Sequence, residues 1–245
     1  MNHHRLKNIL RRLLHTAGLD VRWHVARPPH SLQTLLDLYG VDTVFDVGAN
    51  AGMSGQYFRN IGFGGTIVSF EPVLRYYREL ERHAANDAHW FCENVAVGDA
   101  EGEFEINVSG ASGAASSFLN MTSSVTEHVP ELAFVDRERV RMRTVDELVR
   151  DYYPHGDRLF LKLDVQGYER NVLEGARQTL DRIVGMRIEL SLLQCYEDEP
   201  LLCEMLPYLQ RLGFSLAGIE PAWSDPRTQE VFQLDGMFVR TDRRL

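Results

Sequence analysis

What most constrains this chain is a regular exchange between two hydrophobic periods, which starts near Ser31 and runs to the C-terminus. Short apolar runs at 43–47 (TVFDV), 66–70 (TIVSF), 159–164 (LFLKLD) and 183–192 read as buried strands. Between them lie stretches with helical spacing. Leu32, Leu35, Leu36 and Tyr39 follow Ser31 as an N-cap; Met53, Tyr57 and Ile61 give a second face, and Leu74, Tyr77, Leu80 and Ala84 a third. A third strand is expected over about 89–97, an edge strand or hairpin arm at 104–108, and helices near 145–152 and from Val172 through Leu173 and Ala176 to Leu180. Leu202, Met205, Leu206, Leu209 and Leu212 form a last helix capped by Gly213, before two closing strands at 214–219 and 231–239. Strands that alternate with helices predict an α/β domain whose mostly parallel sheet is covered on both faces and closed by a C-terminal antiparallel hairpin.

Composition narrows the class. The chain has 245 residues, 44% of them hydrophobic, enough for one sizeable core without staples. Cys92, Cys195 and Cys203 form no C-x-x-C pair, so neither a disulfide framework nor a zinc knuckle is expected, and a cytoplasmic location fits. No apolar run approaches the ~18 residues that a membrane span requires. The net charge of −9 is unevenly distributed. Residues 1–30 carry Arg5, Lys7, Arg11, Arg12, Arg22 and Arg27 against Asp20, a balance of +5 that leaves −14 on the rest. An acidic body argues against nucleic acid as a partner. Leu6, Ile9, Leu10, Leu13 and Leu14 lie on one helical face, so 1–30 is expected to be a basic helical appendage to a domain spanning 31–245. Such a helix suits docking on the domain or on another subunit of a homo-oligomer, or weak contact with an anionic membrane surface. Arg11 and Arg12 interrupt the apolar core that a signal peptide would need.

The chemistry begins at the turn after the first strand, Asp46-Val47-Gly48-Ala49-Asn50-Ala51-Gly52. Its glycines allow close approach of a ligand and of the next helix. A dinucleotide turn has a glycine where this chain has Asn50, and that glycine exists to admit a pyrophosphate. The substitution points to a nucleoside ligand with no phosphate there. Glu71, at the end of the second strand, is placed to accept both hydroxyls of a ribose. S-adenosylmethionine has the ribose and lacks the phosphate. The turn Asp46–Gly52, Ala49 included, would hold its amino-acid end, with Asp46 near the α-ammonium, while Asn94-Val95-Ala96-Val97-Gly98-Asp99 would lie by the adenine.

These blocks, TVFDVGANAGMSGQYFRN, IVSFEPV, ENVAVGD, the serine pair before Phe118, VRMRTVDEL, FLKLDVQGYERNVLEGA and RIELS, resemble in content and order the FkbM-type methyltransferases. The resemblance covers roughly 41–240. It implies a class I, Rossmann-like fold with a seven-stranded sheet, S-adenosylmethionine as cofactor, and O-methylation of sugar or polyketide hydroxyls in polysaccharide biosynthesis or related pathways. It also implies that Gly48, Asn50, Gly52, Glu71, Pro72, Asn94, Ala96 and Val97 contact the cofactor and that Asp164 lies at the reacting centre. Many members have Glu where this chain has Gln166.

Methyl transfer to an alcohol needs a base for the hydroxyl proton. Asp164, at the end of its strand, is the first candidate, followed by Glu189, Glu169 and His128. Gln166, Tyr168, Tyr196 and Trp223 are expected to shape a pocket for a saccharide or glycoside acceptor, helped by the Ser- and Gly-rich stretch 109–124. Asp164 and Glu189 are also suited to clamp Mg²⁺ against a diol, although nothing in their spacing requires a metal. Two rival functions remain on sequence grounds: an NAD(P)-dependent oxidoreductase on a similar sheet, and a non-catalytic module docking through 1–30.

Overall fold

Five consecutive buried residues, Thr43–Val47, form β1, and burial on both faces places it in the middle of a sheet. The computed structural model describes residues 32–110, 113–225 and 228–243, without the side chains of Ser124 and His128. The Ser31 cap and the basic appendage at 1–30 fall outside the described residues. β1 pairs in parallel with β2 (Thr66–Phe70) on one side and with β7 (Leu159–Leu163) on the other. β3 (Trp90–Glu93) extends the sheet beyond β2, and β8 (Ile183–Ser191) extends it beyond β7, both parallel. β9 (Phe214–Ser224) and β10 (Val231–Arg240) close it as an antiparallel hairpin, giving the order β3-β2-β1-β7-β8-β10-β9. Chain direction along the sheet reverses between β1 and β7. In open parallel sheets the crevice beyond the carboxyl ends of two such strands is where ligands bind.

Helices pack on both faces. α1 (Leu32–Leu38) and α2 (Met53–Asn60) bury Leu32, Leu35, Leu36 and Phe58 with Val44, Ile67 and Phe160, and α3 (Leu74–Ala84) adds Leu80 and Ala84 to the same cluster. The short α4 (Ser123–His128) buries Val125 with Cys195 and Tyr196. α5 (Val145–Tyr152), α6 (Glu169–Glu174) and α7 (Leu202–Arg211) cover the opposite face, burying Leu148, Val172 and Leu209 against Phe45, Leu161 and Ile188. The last helix ends at Gly213, which has φ +88°.

Four sequence expectations are corrected. Met53 and Tyr57 of α2 face outward, at 68% and 42% exposure, and Phe58 faces in. The cause is Trp90: a Cβ on Gly55 would lie 2.0 Å from its indole, so the helix turns its bare glycine onto that ring. In α3, Tyr76 rather than Leu74 joins Leu80 and Ala84 in the interior. The strand expected at 89–97 is broken in two. The Asn94 side-chain amide donates to the carbonyls of both Glu71 and Pro72, each at 2.8 Å, and bends the chain out of the main sheet. The second piece, β4 (Ala96–Val97), joins a separate sheet of order β4-β6-β5 with β5 (Gly102–Ser109) and β6 (Phe134–Arg143). The helix expected through Leu180 also stops early, because a Cβ at Gly175 would lie 2.0 Å from the Gly98 carbonyl oxygen, which requires glycine where the chain turns.

Gly55→Ala forces a methyl into the Trp90 ring and is expected to lower stability by roughly 1–3 kcal/mol. Urea unfolding followed by tryptophan fluorescence measures it. An unchanged midpoint would mean that the helix is not held by that contact.

Candidate active site

The carboxyl ends of β1 and β7 are in direct contact. Gly48 has φ +73°, and a Cβ there would lie 1.9 Å from the Asp164 carbonyl oxygen, so only glycine lets the two turns meet. Lys162 joins them from beneath. Its ammonium donates to the Gly48 carbonyl at 2.9 Å and lies 3.2 Å from Asp46 Oδ1 and 3.5 Å from Asp164 Oδ2. Burial disfavours that charge, but the Asp46 and Asp164 carboxylates outweigh it and push the pKa upward. Asp46 is fully buried and also accepts from Ser69 Oγ at 3.0 Å.

Glu71 governs the next part of the crevice. Its Oε2 accepts from the Asn50 N–H at 2.8 Å and its Oε1 from the Val73 N–H at 2.9 Å. Asn50 takes a left-handed φ of +48° in that turn. The N–H that a dinucleotide turn would offer to phosphate is here held by a carboxylate. Burial raises the Glu71 pKa to about 7, against the lowering effect of the two N–H groups and Lys162.

A cavity opens over these groups. Gly48, Asn50 and Glu71 line one side. Phe70, Pro72, Val95, Ala96, Val97 and Ile106 supply an apolar wall. Gly113, Ala114, Ser116 and Phe118 of the Ser-rich stretch close it from above, with Tyr168 beside Phe118 at 5.2 Å between ring centroids. That stretch is anchored: the Asn107 and Ser117 backbones exchange hydrogen bonds at 2.9 and 3.1 Å, and Ser117 Oγ donates to the Gln166 carbonyl at 2.7 Å. A second cavity is lined by Ala49, Ala51, Ser54, Arg75, Tyr76, Glu79 and Lys162. The two share Gly48, Asn50, Ala114 and Asp164.

Asp164 therefore stands where the cavities join, with its side chain 38% exposed. Gln166, at φ +56°, donates from Nε2 to Asp164 Oδ1 at 2.8 Å and to Glu189 Oε2 at 2.7 Å. Gln233 Nε2 reaches the same Glu189 oxygen at 3.1 Å. Burial, then Asp164 and Glu169, raise the Glu189 pKa well above the ordinary carboxylate range.

Several expected site residues are reassigned by these contacts. Asp46 lines neither cavity; it is the counter-ion of Lys162. Asn94 and Gly52 also stand behind the wall, one holding the Glu71–Pro72 backbone, the other beginning α2 at φ +89°. Trp223 packs edge-on to Phe232 at 5.1 Å, within a cluster containing Val125, Cys195 and Tyr196, and lines neither cavity. Tyr196 is 2% exposed and reaches the site only through its hydroxyl, 2.7 Å from Gln166 Oε1. Glu169 turns back to accept from the Val165 and Gly167 N–H groups, holding the turn's shape. The His128 side chain is outside the described residues. Among the described residues no group of three His, Cys, Asp or Glu side chains is placed to hold a metal. The gap between Asp164 and Glu189 that suits Mg²⁺ on sequence grounds is filled by the Gln166 amide. Sequence reasoning misses Lys162, although a lysine within LFLKL, buried throughout, is a signal that asks for a buried partner.

The family model described as the methyltransferase FkbM domain matches residues 46–216, and the chain belongs to that family, whose members depend on S-adenosylmethionine. The residues fit that cofactor: an acid for a ribose, an apolar wall for a base, and no free turn N–H at Asn50 for a phosphate. No curated protein sequence matches. Solved structures similar in fold include a TehB-like SAM-dependent methyltransferase from Corynebacterium glutamicum, 12% identical over 98% of this chain and 100% of that one, TM-score 0.42. Another is an rRNA methylase from Streptococcus thermophilus, 10% identical over 88% and 99%, TM-score 0.43. At such identities neither bears on what this chain acts on. Among the described residues no helix is long and apolar enough to cross a membrane.

Lys162→Met leaves the Asp46 carboxylate buried without its cation and is expected to cost about 3–5 kcal/mol in urea unfolding. A loss below about 1 kcal/mol would show that the pair does not hold the two turns together.

Proposed function

We propose that this methyltransferase transfers the methyl group of S-adenosylmethionine to a hydroxyl of a saccharide or glycoside. The observation that carries the proposal is the position of Asp164, a partly exposed carboxylate at the seam of two cavities. The first cavity suits the cofactor, with Glu71 on the ribose and the wall around Ala96 and Val97 against the adenine. The second suits the acceptor: Ser54, Arg75, Tyr76 and Glu79 offer donors and acceptors to a polyhydroxyl compound.

S-adenosylmethionine, when bound, supplies an electrophilic methyl on a sulfonium, whose C–S bonding pair leaves with the sulfur. The chain's residues do the rest. Gly48 lets the two turns close on one another, and the anchored 113–118 stretch excludes water from the first cavity. Orienting two reactants in this way is worth on the order of 7–11 kcal/mol. Asp164 accepts the acceptor's hydroxyl proton as the O–C bond forms. Gln166 occupies its Oδ1, so Oδ2, which also faces the Lys162 ammonium at 3.5 Å, takes that proton. The acidic body disfavours a nucleic-acid acceptor, and the Asn50 N–H held by Glu71 disfavours NAD(P). Mg²⁺ has no part in this scheme.

The test is methyl-ether formation from labelled S-adenosylmethionine over a panel of mono- and oligosaccharides and glycosides, read by mass spectrometry. Asp164→Asn is expected to lower turnover roughly 10²–10⁴-fold while S-adenosylhomocysteine binds within a few-fold of the wild type. Full turnover in that variant would remove Asp164 as the base.

Ribose hydroxyls donate to an ionised Glu71, whose pKa in the free chain is raised to about 7. Affinity for S-adenosylhomocysteine is therefore expected to be full above that pH and to weaken as pH falls through it. Glu71→Gln should abolish this dependence. A flat calorimetric affinity profile over about 1.5 pH units on either side of that midpoint would take Glu71 off the ribose.

A further inference from the structure

The sequence pattern places Gln166 against the acceptor, yet the hydrogen bonds of its side chain are all made within the protein. Both N–H bonds of its amide face carboxylates, Asp164 Oδ1 at 2.8 Å and Glu189 Oε2 at 2.7 Å. Its oxygen faces the Tyr196 hydroxyl at 2.7 Å. An ionised carboxylate only accepts, so wherever either carboxyl is ionised the amide nitrogen must face it, and the amide oxygen is then left to the Tyr196 hydroxyl. Tyr196 lies in a buried satellite cluster, its hydroxyl also 3.2 Å from the Ala115 carbonyl, and its ring has no access to either cavity. The backbone at Gln166 is held as well, in a left-handed conformation for which the Ser117 hydroxyl supplies a bond.

We propose that Tyr196 and Gln166 are positioning residues for Asp164: the buried hydroxyl fixes which way the amide faces, and the amide holds Asp164 by one oxygen while tying it to Glu189. The proposal depends on the function above only for its kinetic consequence. The contacts themselves bear on the carboxylates whether or not an acceptor is known.

Turning the amide over would point its oxygen at two carboxylates. Either one of them would take up a proton or the contact would break. The groups facing this network are Lys162 and Asp164 at the end of β7, Glu169 on α6, Asp235 and Gln233 on β10, and Arg187 on β8, which pairs with Asp235 at 2.7 Å. Tyr196 itself is flanked by Cys195 and Glu199. Tyr196→Phe removes the director and keeps the ring.

The experiment is a ¹³C-carboxyl NMR titration of the full chain labelled in Asp and Glu, with Asp164→Asn and Glu189→Gln assigning the signals. Loss of an N–H bond to a carboxylate raises its pKa, so in Tyr196→Phe the Glu189 midpoint is expected to rise by roughly one to two pH units. Gln166→Glu places a third carboxyl in the same space and is expected to add a coupled titration above neutrality. In the methylation assay Tyr196→Phe should lose about 10- to 100-fold in kcat, with S-adenosylhomocysteine affinity unchanged. Gln166→Glu should keep turnover at neutral pH, where the introduced carboxyl is protonated and donates in place of one N–H, and lose it as pH rises through that coupled titration. A purely structural role would not produce that alkaline loss. Wild-type midpoints for Asp164 and Glu189 in Tyr196→Phe overturn the proposal. If that variant does not fold, wild-type midpoints in Gln166→Glu overturn it alone. Turnover retained in Asp164→Asn, with the midpoints moving as expected, would instead overturn the assignment of the base and leave the positioning network standing.

Discussion

The site depends on one buried ion pair. Asp46 and Lys162 sit opposite each other on β1 and β7, at the place where the strand order reverses. Burying two charges is costly, and a pair of this kind is favourable only if the remaining polar atoms are also satisfied. Here Ser69 takes one Asp46 oxygen and the Gly48 carbonyl takes a Lys162 proton. The pair thereby connects three elements: the β2 interior through Ser69, the β1 turn through Gly48, and the β7 turn through Asp164. Breaking the pair would loosen both walls of the crevice at once and also remove the ammonium that faces Asp164 and lines the second cavity.

Above that pair, the polar groups divide between two tasks. Glu71 and Asn94 shape the wall of the first cavity by bonding backbone: Glu71 takes the N–H groups of Asn50 and Val73, and Asn94 gives its amide to the carbonyls of Glu71 and Pro72. Asp164, Gln166 and Glu189 are linked side chain to side chain and stand where the cavities join. The first set is rigid because every bond ends on main chain. The second set joins side chain to side chain, so a change at one member is passed to the others.

Much of the scaffold is legible in the sequence. β1, β2 and α5 fall where the hydrophobic periods place them, because each is a local pattern with clear turn residues at its ends. The closing hairpin and the parallel sheet are legible for the same reason. The failures come from distant partners. Nothing near α2 announces that Trp90, 35 residues beyond Gly55, will demand the bare face of the helix. The break at Asn94 is invisible to periodicity, since it is caused by carbonyls at the end of another strand.

The site is legible by type and less so by role. Gly48, Asn50, Glu71, Ala96, Val97 and Asp164 line the first cavity as the turn chemistry and spacing imply. An acid before a glycine turn reads as a ligand contact, while the true partner of Asp46, Lys162, lies more than a hundred residues away. Aromatic character groups Tyr196 with the acceptor pocket, yet its hydroxyl, not its ring, is the part that matters. The most direct test of the whole account is a crystal structure with S-adenosylhomocysteine. It should show the ribose hydroxyls on Glu71, the adenine against Ala96 and Val97, and the sulfur facing Asp164. A ligand bound anywhere else on the chain, or a ribose out of reach of the Glu71 carboxylate, would contradict it.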